Sequence, residues 1–206
     1  KSGKEELYLK DDAALDAFLL RVALKDAVVH PGGTAQPITG EALAELARKH
    51  QVAEGVIARL SAFMDEEALR AIASGVVIDM DTPEAAAASA RELQSHLHEQ
   101  QANGGAPEVA AVQDPRTDRT VLRISRHHHG NVKSSVIPQE FVHGGDHAAL
   151  VAAAQTFKDL LGEGAKVTRG EGERQREQAV ASFREAMQWL IAEAERTTSR
   201  QRYKGL

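Results

Sequence analysis

Acids and histidines are the residues of this chain best placed to do chemistry. Asp79 and Asp81 lie two apart, directly after Val76, Val77 and Ile78, which reads as a strand end with both carboxylates on one side. Hard oxygen ligands in that arrangement suit magnesium, provided a third acid comes close in space. A helix cap is the simpler reading, because Asp81 and Thr82 stand where an N-cap belongs, before Pro83 at the first helical position. His127, His128 and His129 could bind a transition metal only if three rings converged, and consecutive strand residues alternate sides. A strand end running into a polar turn is expected there instead. His96 and His98 are two apart on a helix and do not share a face, while His143 and His147 are separated by Gly144-Gly145. The glycines from Gly162 to Gly172 lack the closing Gly-Lys-Ser/Thr of a phosphate cradle and read as a loop. No Gly-x-Ser-x-Gly elbow makes a serine nucleophilic. With no cysteine in the chain, a disulfide scaffold, a thiolate zinc site and a cysteine nucleophile are all excluded, in keeping with a reducing compartment. No catalytic and no metal-binding residue is expected.

The elements that must carry these residues are mixed. Leu7 and Leu9 alternate within a strand over 5–10, and Asp11 or Asp12 caps a brief helix through Phe18. Leu20, Val22 and Leu24 lead through Lys25-Asp26 to Val28 and Val29, a hairpin pattern, and Pro31-Gly32-Gly33 and Pro37 mark a loop. Helices follow: one with Leu43, Leu46 and Ala47, a second with Val56, Ile57, Leu60 and Phe63, a third with Ala68, Leu69 and Ile72, and a fourth from Glu84 to about Gln101. Strands are expected over 108–112, 119–126 and 132–137, with a turn at Gly130-Asn131. Gly144-Gly145-Asp146 starts a helix that runs to Leu160-Leu161. Ala165 to Thr168 reads as a short strand, and Ser182 caps a long helix with Phe183, Met187, Leu190 and Ile191. The fold class is therefore α/β mixed (α+β), a helical segment plus an antiparallel sheet in one compact domain.

Composition narrows the function classes. The chain has 206 residues, 42% hydrophobic and 27% charged, enough to bury a core without staples. No apolar run approaches the roughly 20 residues that span a bilayer and no secretory signal opens the chain, so a cytoplasmic protein with no membrane partner is expected. The net charge of −5 argues against a globally basic nucleic-acid binder. It hides a gradient. From Ser61 to Ala102 eight acids face two arginines, whereas from Asp114 to Ser135 five bases face two acids. The last eleven residues carry Arg196, Arg200, Arg202 and Lys204 and no acid. The ending Gln201-Arg202-Tyr203-Lys204-Gly205-Leu206 reads as a short strand with cations flanking a ring, suited to a phosphate backbone.

That ending resembles a signature at the close of the TOPRIM region in the B subunits of bacterial type IIA topoisomerases, where Gly-Glu-Met normally follows. Tyr8-Leu9-Lys10-Asp11-Asp12 looks like the strand and turn that leave the TOPRIM core in the DNA gyrase B protein. Thr39-Gly40-Glu41-Ala42-Leu43, Glu140-Phe141-Val142-His143-Gly144-Gly145 and Ala181-Ser182-Phe183 with Trp189-Leu190 look like the large insert of that region in many Gram-negative gyrases. The related topoisomerase IV B protein shares the ending but as a family lacks so large an insert.

The resemblance implies flanking TOPRIM pieces over 1–30 and 197–206, bracketing an insert over 31–196 that is helical over 39–102, β-rich over 108–138 and α/β over 144–196. Insertions require adjacent ends, so the strands 5–10 and 201–203 are expected to pair. In that family the magnesium-binding acids and the ATPase domain belong upstream of Lys1, and the active tyrosine belongs to the gyrase A protein. ATP and magnesium are thus cofactors of the parent enzyme, with none expected in this chain. The parent introduces negative supercoils by double-strand passage. The insert's implied role is architectural, coupling DNA binding to ATP turnover. Implied partners are DNA, the gyrase A protein in an assembly of two A and two B subunits, and the rest of the gyrase B protein. The residues carried over as near DNA are Arg200, Gln201, Arg202, Tyr203, Lys204 and Gly205. The competing readings are a stand-alone protein-interaction domain and an independent DNA-binding module using the Arg119 to Lys133 hairpin with the basic tail.

Overall fold

Why the chain forms its first helix rather than a hairpin is legible in its residues. The computed structural model describes residues 12–100 and 105–204, with side chains over 15–100 and 105–198. Helix α1 spans Asp12–Leu24, a run of alanine and leucine with no breaker. Its buried residues Leu19 and Ala23 are four apart, so Leu20, Val22 and Leu24 belong to a helix and not to the expected hairpin. The turn comes at Asp26, whose φ is 57°. The strand expected over 5–10, and its pairing with the other end, fall outside the described residues.

The chain divides into two compact units, 1–48 with 159–206 and 49–158. In the first, β1 (Ala27–His30), β2 (Ile38–Thr39), β6 (Lys166–Arg169) and β7 (Arg176–Ala179) form an antiparallel sheet in the order β2-β1-β6-β7. Val29 stands opposite Val167, and both are buried. The glycine-rich stretch from Gly162 is therefore more than a loop, because it holds an inner strand. The short strand expected over Ala165 to Thr168 is thus found, one residue later, as β6. Gly32 is required at the joint: with φ at 98°, a Cβ there would overlap the Glu163 carbonyl oxygen, while the Gly162 N–H donates to the Pro31 carbonyl at 2.8 Å.

Helix α7 (Phe183–Lys204) closes this unit. Ser182 Oγ accepts the Glu185 N–H at 3.2 Å and the Glu185 carboxylate accepts the Ala181 N–H, close to a capping box. Phe183, Ala186, Met187, Leu190 and Ala194 form its buried stripe, and α7 packs on α1 and β6. The helix runs on through Gln201, Arg202, Tyr203 and Lys204, so the expected terminal strand is corrected to helix as far as Lys204. No Gly or Pro interrupts the run before Gly205, and Arg, Gln and Lys are good helix formers.

Helix α2 (Gly40–Leu60) merges the first two expected helices and carries the chain across the boundary between the units. Phe63, expected on its apolar face, lies in the turn beyond it and is 66% exposed. In the second unit follow α3 (Glu66–Ala73) and α4 (Pro83–Glu99). A meander of β3 (Glu108–Gln113), β4 (Thr120–His128) and β5 (Asn131–Ile137) comes next, then α5 (Gln139–Val142) and α6 (Gly145–Phe157). Val109, Leu122, Ile124 and Ile137 enter one core with Leu69, Ile72, Leu93, Leu97 and Leu150. Among the described residues the chain thus has seven α-helices and two antiparallel sheets, the α+β class that the sequence predicts.

Two local expectations change here. Residues 76–81 alternate as a strand would, with Val76, Ile78 and Met80 buried and Val77, Asp79 and Asp81 exposed, yet they join no sheet. Their backbone is held instead by side chains. Ser89 Oγ accepts the Asp79 N–H and donates to its carbonyl, and Gln139 Nε2 donates to the Met80 carbonyl. In the hairpin, β4 continues through His128 and the turn is His129-Gly130, with φ of 49° and 82°. Both residues are left-handed, as a type I′ turn requires.

Candidate functional surfaces

The acids singled out for magnesium do not make a metal site. Asp79 Oδ1 accepts the Asp81 N–H at 2.9 Å, closing a local turn. Asp81 reaches His143 Nε2 at 3.4 Å, and the cap before Pro83 is Thr82, whose Oγ1 accepts the Ala85 N–H. Both carboxylates are exposed. Among the described residues no group of three His, Asp or Glu side chains could hold a metal ion.

The histidines separate. His98 Nε2 lies 3.2 Å from the Pro107 carbonyl oxygen, tying the end of α4 to the start of the sheet. His128 and His129 meet edge to face at the hairpin tip, with ring centroids 4.1 Å apart. His147, in the first turn of α6, packs its ring edge against Phe141 at 5.5 Å. Burial, and then the neighbouring His143, push its imidazole below the ordinary histidine range, partly offset by a hydrogen bond with the Val142 backbone. Its Nε2 is buried with no partner. That environment favours the neutral ring.

Ion pairs tie the acidic helices down. Arg126, from the central strand, donates to Asp65 from Nε at 2.6 Å and from Nη2 at 3.0 Å, and to Glu67 at 3.1 Å. Asp65 also caps α3 by accepting the Ala68 N–H. Burial raises the Asp65 carboxyl, but Arg126 and the Ala68 amide outweigh it and hold the group below its usual range. Arg70 bridges Glu54 and Glu66, and Arg59 clasps Asp146. Much of the acidic segment's charge is thus committed to fixing helices to one another and to the sheet. The sequence shows both blocks of charge but not their pairing, because Asp65 and Arg126 are 61 positions apart.

In the first unit Glu193 is buried at 7% exposure. It is held by Arg176 at 3.0 Å and Arg196 at 2.9 Å. Its place could have been read from the sequence, since Glu193 falls three residues after Leu190 on the apolar stripe of α7. Arg169 donates to Thr197 Oγ1 and to the Val22 carbonyl, joining β6 to both helices. Arg196, counted among the tail's cations, is therefore engaged. Of the residues expected near DNA, Arg200, Gln201, Arg202, Tyr203 and Lys204 lie on the last turns of α7, and Gly205 lies outside the described residues.

No helix is long and apolar enough to cross a membrane among the described residues. The DNA gyrase B subunit insert domain is the family whose model matches this chain, over residues 27–194, from β1 to the buried stripe of α7. A match of that extent takes in both sheets, helices α2 to α6 and the first half of α7, and by it the chain belongs to the DNA gyrase B subunit insert family.

Proposed function

We propose that the chain is an architectural part of a gyrase B protein, supporting ATP-dependent negative supercoiling by double-strand passage and coupling DNA binding to ATP turnover. The observation that carries this reading is the family match over residues 27–194. The parent enzyme, a type II topoisomerase, supplies ATP and magnesium chemistry from residues beyond this chain. Its partners are DNA, the gyrase A protein in an assembly of two A and two B subunits, and the remainder of the gyrase B protein, in the cytoplasm. The residues 1–30 and 197–206 then connect to the TOPRIM region, with the insert over 31–196 between them. The tail Arg200, Gln201, Arg202, Tyr203, Lys204 and Gly205 lies near the DNA backbone.

The test is a gyrase B protein carrying this chain, reconstituted with its gyrase A partner, compared with one in which the insert is replaced by a short linker. Supercoiling and DNA-stimulated ATP hydrolysis are expected to fall together, with DNA-independent hydrolysis retained. Unchanged supercoiling in the linker version would refute the architectural role. For the tail, Arg200→Ala, Arg202→Ala and Lys204→Ala together are expected to lower the salt slope of DNA binding by up to about 3 if each meets one phosphate. An unchanged slope would remove those residues from the interface.

A further inference from the structure

Each sheet has two outer strands, and an outer strand presents a row of unpaired N–H and C=O groups to whatever comes near. Three of the four edges are blunted. Strand β2 is two residues long. Strand β7 carries charges held in ion pairs, Arg176 with Glu193 and Glu177 with Lys166. On the outer side of β3 the Gln94 side chain of α4 accepts the Val109 N–H at 2.8 Å. Strand β5 is different. It pairs with β4 on one side, and its other side makes no hydrogen bond among the described residues.

The residues of this open edge invite a strand. Asn131–Ile137 contains no Pro, Gly or acid, and its sole charge is Lys133. Val132 and Val136 are 57% and 39% exposed; four apart, they lie on one side of the pleat with Ser134 between them. A two-fold pairing of antiparallel strands must keep each face continuous, so it centres on one residue. Centred on Lys133, it sets lysine against lysine. Centred on Ser135, it sets Val136 against Ser134 and Val132 against Pro138. Centred on Ser134, it sets each Val132 against Val136 of the other copy and each Lys133 against Ser135, and the two lysines are diagonal rather than opposite. Apolar pairs across strands are favourable and like charges directly opposite are not, so the third register is selected.

We propose that the free edge of β5 docks β5 of a second copy of this chain, antiparallel and centred on Ser134, joining two three-stranded meanders into one continuous sheet. The choice of occupant rests on self-complementarity. The valines are placed symmetrically about Ser134, and the same register keeps the lysines from facing each other. Backbone hydrogen bonds along the edge supply the attraction, as in other strand additions. An interface made by one strand edge is small, and a weak, reversible dimer is expected. The inference stands on the second unit alone and is separate from the role given to the tail of α7.

The test uses the 206-residue chain, which has no cysteine of its own. Sedimentation equilibrium from about 1 µM to about 1 mM is expected to show monomer passing reversibly to dimer. Val132→Lys with Val136→Lys removes both valine pairs and sets like charges opposite one another, and should weaken association at least about 10-fold. Single cysteines read the register. Opposite residues of an antiparallel pair have Cα atoms about 4.5–5.5 Å apart, within disulfide reach, whereas diagonal ones at about 7–8 Å lie beyond it. Under an oxidant, Ser134→Cys is therefore expected to form a covalent dimer at least about 10-fold faster than Lys133→Cys. Both positions are exposed, and far-UV circular dichroism checks that each variant keeps its fold. Monomer at every concentration would overturn the proposal and leave the edge to a strand of another protein. A dimer in which Ser134→Cys cross-links no faster than Lys133→Cys would also overturn it, placing the contact elsewhere.

Discussion

Asp65 is asked to do two things at once, and its protonation state decides whether it can. It caps α3 and holds Arg126, so its carboxylate is favoured in the folded chain and its pKa lies below the unfolded value. A group depressed in this way adds stability that is present above the unfolded carboxylate range and is lost as pH falls through the folded value. Asp65→Asn is expected to cost about 2 kcal/mol at pH 7, combining a weakened cap with a half-emptied ion pair, and its deficit should shrink below about pH 4. Urea unfolding at about pH 7 and about pH 3.5 checks both. His147 works in a higher window. Its pKa is also depressed, here because the neutral ring is the buried form, so stability falls as pH drops below the unfolded value of about 6.5. In NMR its own titration midpoint is expected below about 6.5, and one at or above that value would contradict the burial argument. Charge reversal at Asp65, Glu66 or Glu67, an obvious probe of an acidic docking face, would first disrupt Arg126 and Arg70.

At the scale of elements, the joints between strands and loops carry the sharpest predictions. Gly32→Ala places a Cβ on the Glu163 carbonyl in a left-handed residue, whereas Gly33, also left-handed at φ 57°, has open space. Gly33→Ala is expected to cost about 1 kcal/mol and Gly32→Ala clearly more, measured side by side in urea. Leu122, fully buried on the central strand of the meander, should cost about 2–5 kcal/mol on conversion to Ala. How far the sequence shows these elements depends on length and context. The 17-residue α4 was legible from Thr82, Pro83 and its alanine run. The three meander strands were legible from alternation, to within a few residues. Residues 76–81 have the same alternation and join no sheet; Ser89 takes the Asp79 amide and carbonyl, and Gln139 takes the Met80 carbonyl. Nothing local distinguishes the two cases. The tail differs in the opposite direction: Gln201 to Lys204 reads as a strand, yet the helix before it propagates through residues that favour helix.

The whole molecule sets a contrast between its two units. Residues 49–158 are continuous in the chain, and the other unit must bring 1–48 together with 159–206. Loop closure over so long an excursion delays the β1–β6 pairing. A chain comprising 49–158 alone is expected to unfold cooperatively and to keep its sheet, as judged by far-UV circular dichroism and a single denaturation transition. A featureless, non-cooperative loss of signal would show that this unit depends on the other. The overall charge of −5 does not predict where DNA would be repelled or attracted, since several acids are neutralised in ion pairs with Arg59, Arg70 and Arg126.

Local chemistry was enough to determine that this chain lacks a thiolate or nucleophile-elbow site, mixes helices with antiparallel strands, and carries separate blocks of opposite charge. These follow from composition and from periodicities a few residues long. Tertiary structure alone decided which charges cancel, because Asp65 meets Arg126 and Glu193 meets Arg176 only after distant segments fold together. It likewise decided that β6, four residues amid glycines, is an inner strand. The residues Ala165 to Thr168 read as a short strand, but only pairing with β1 on one side and β7 on the other makes it an inner one.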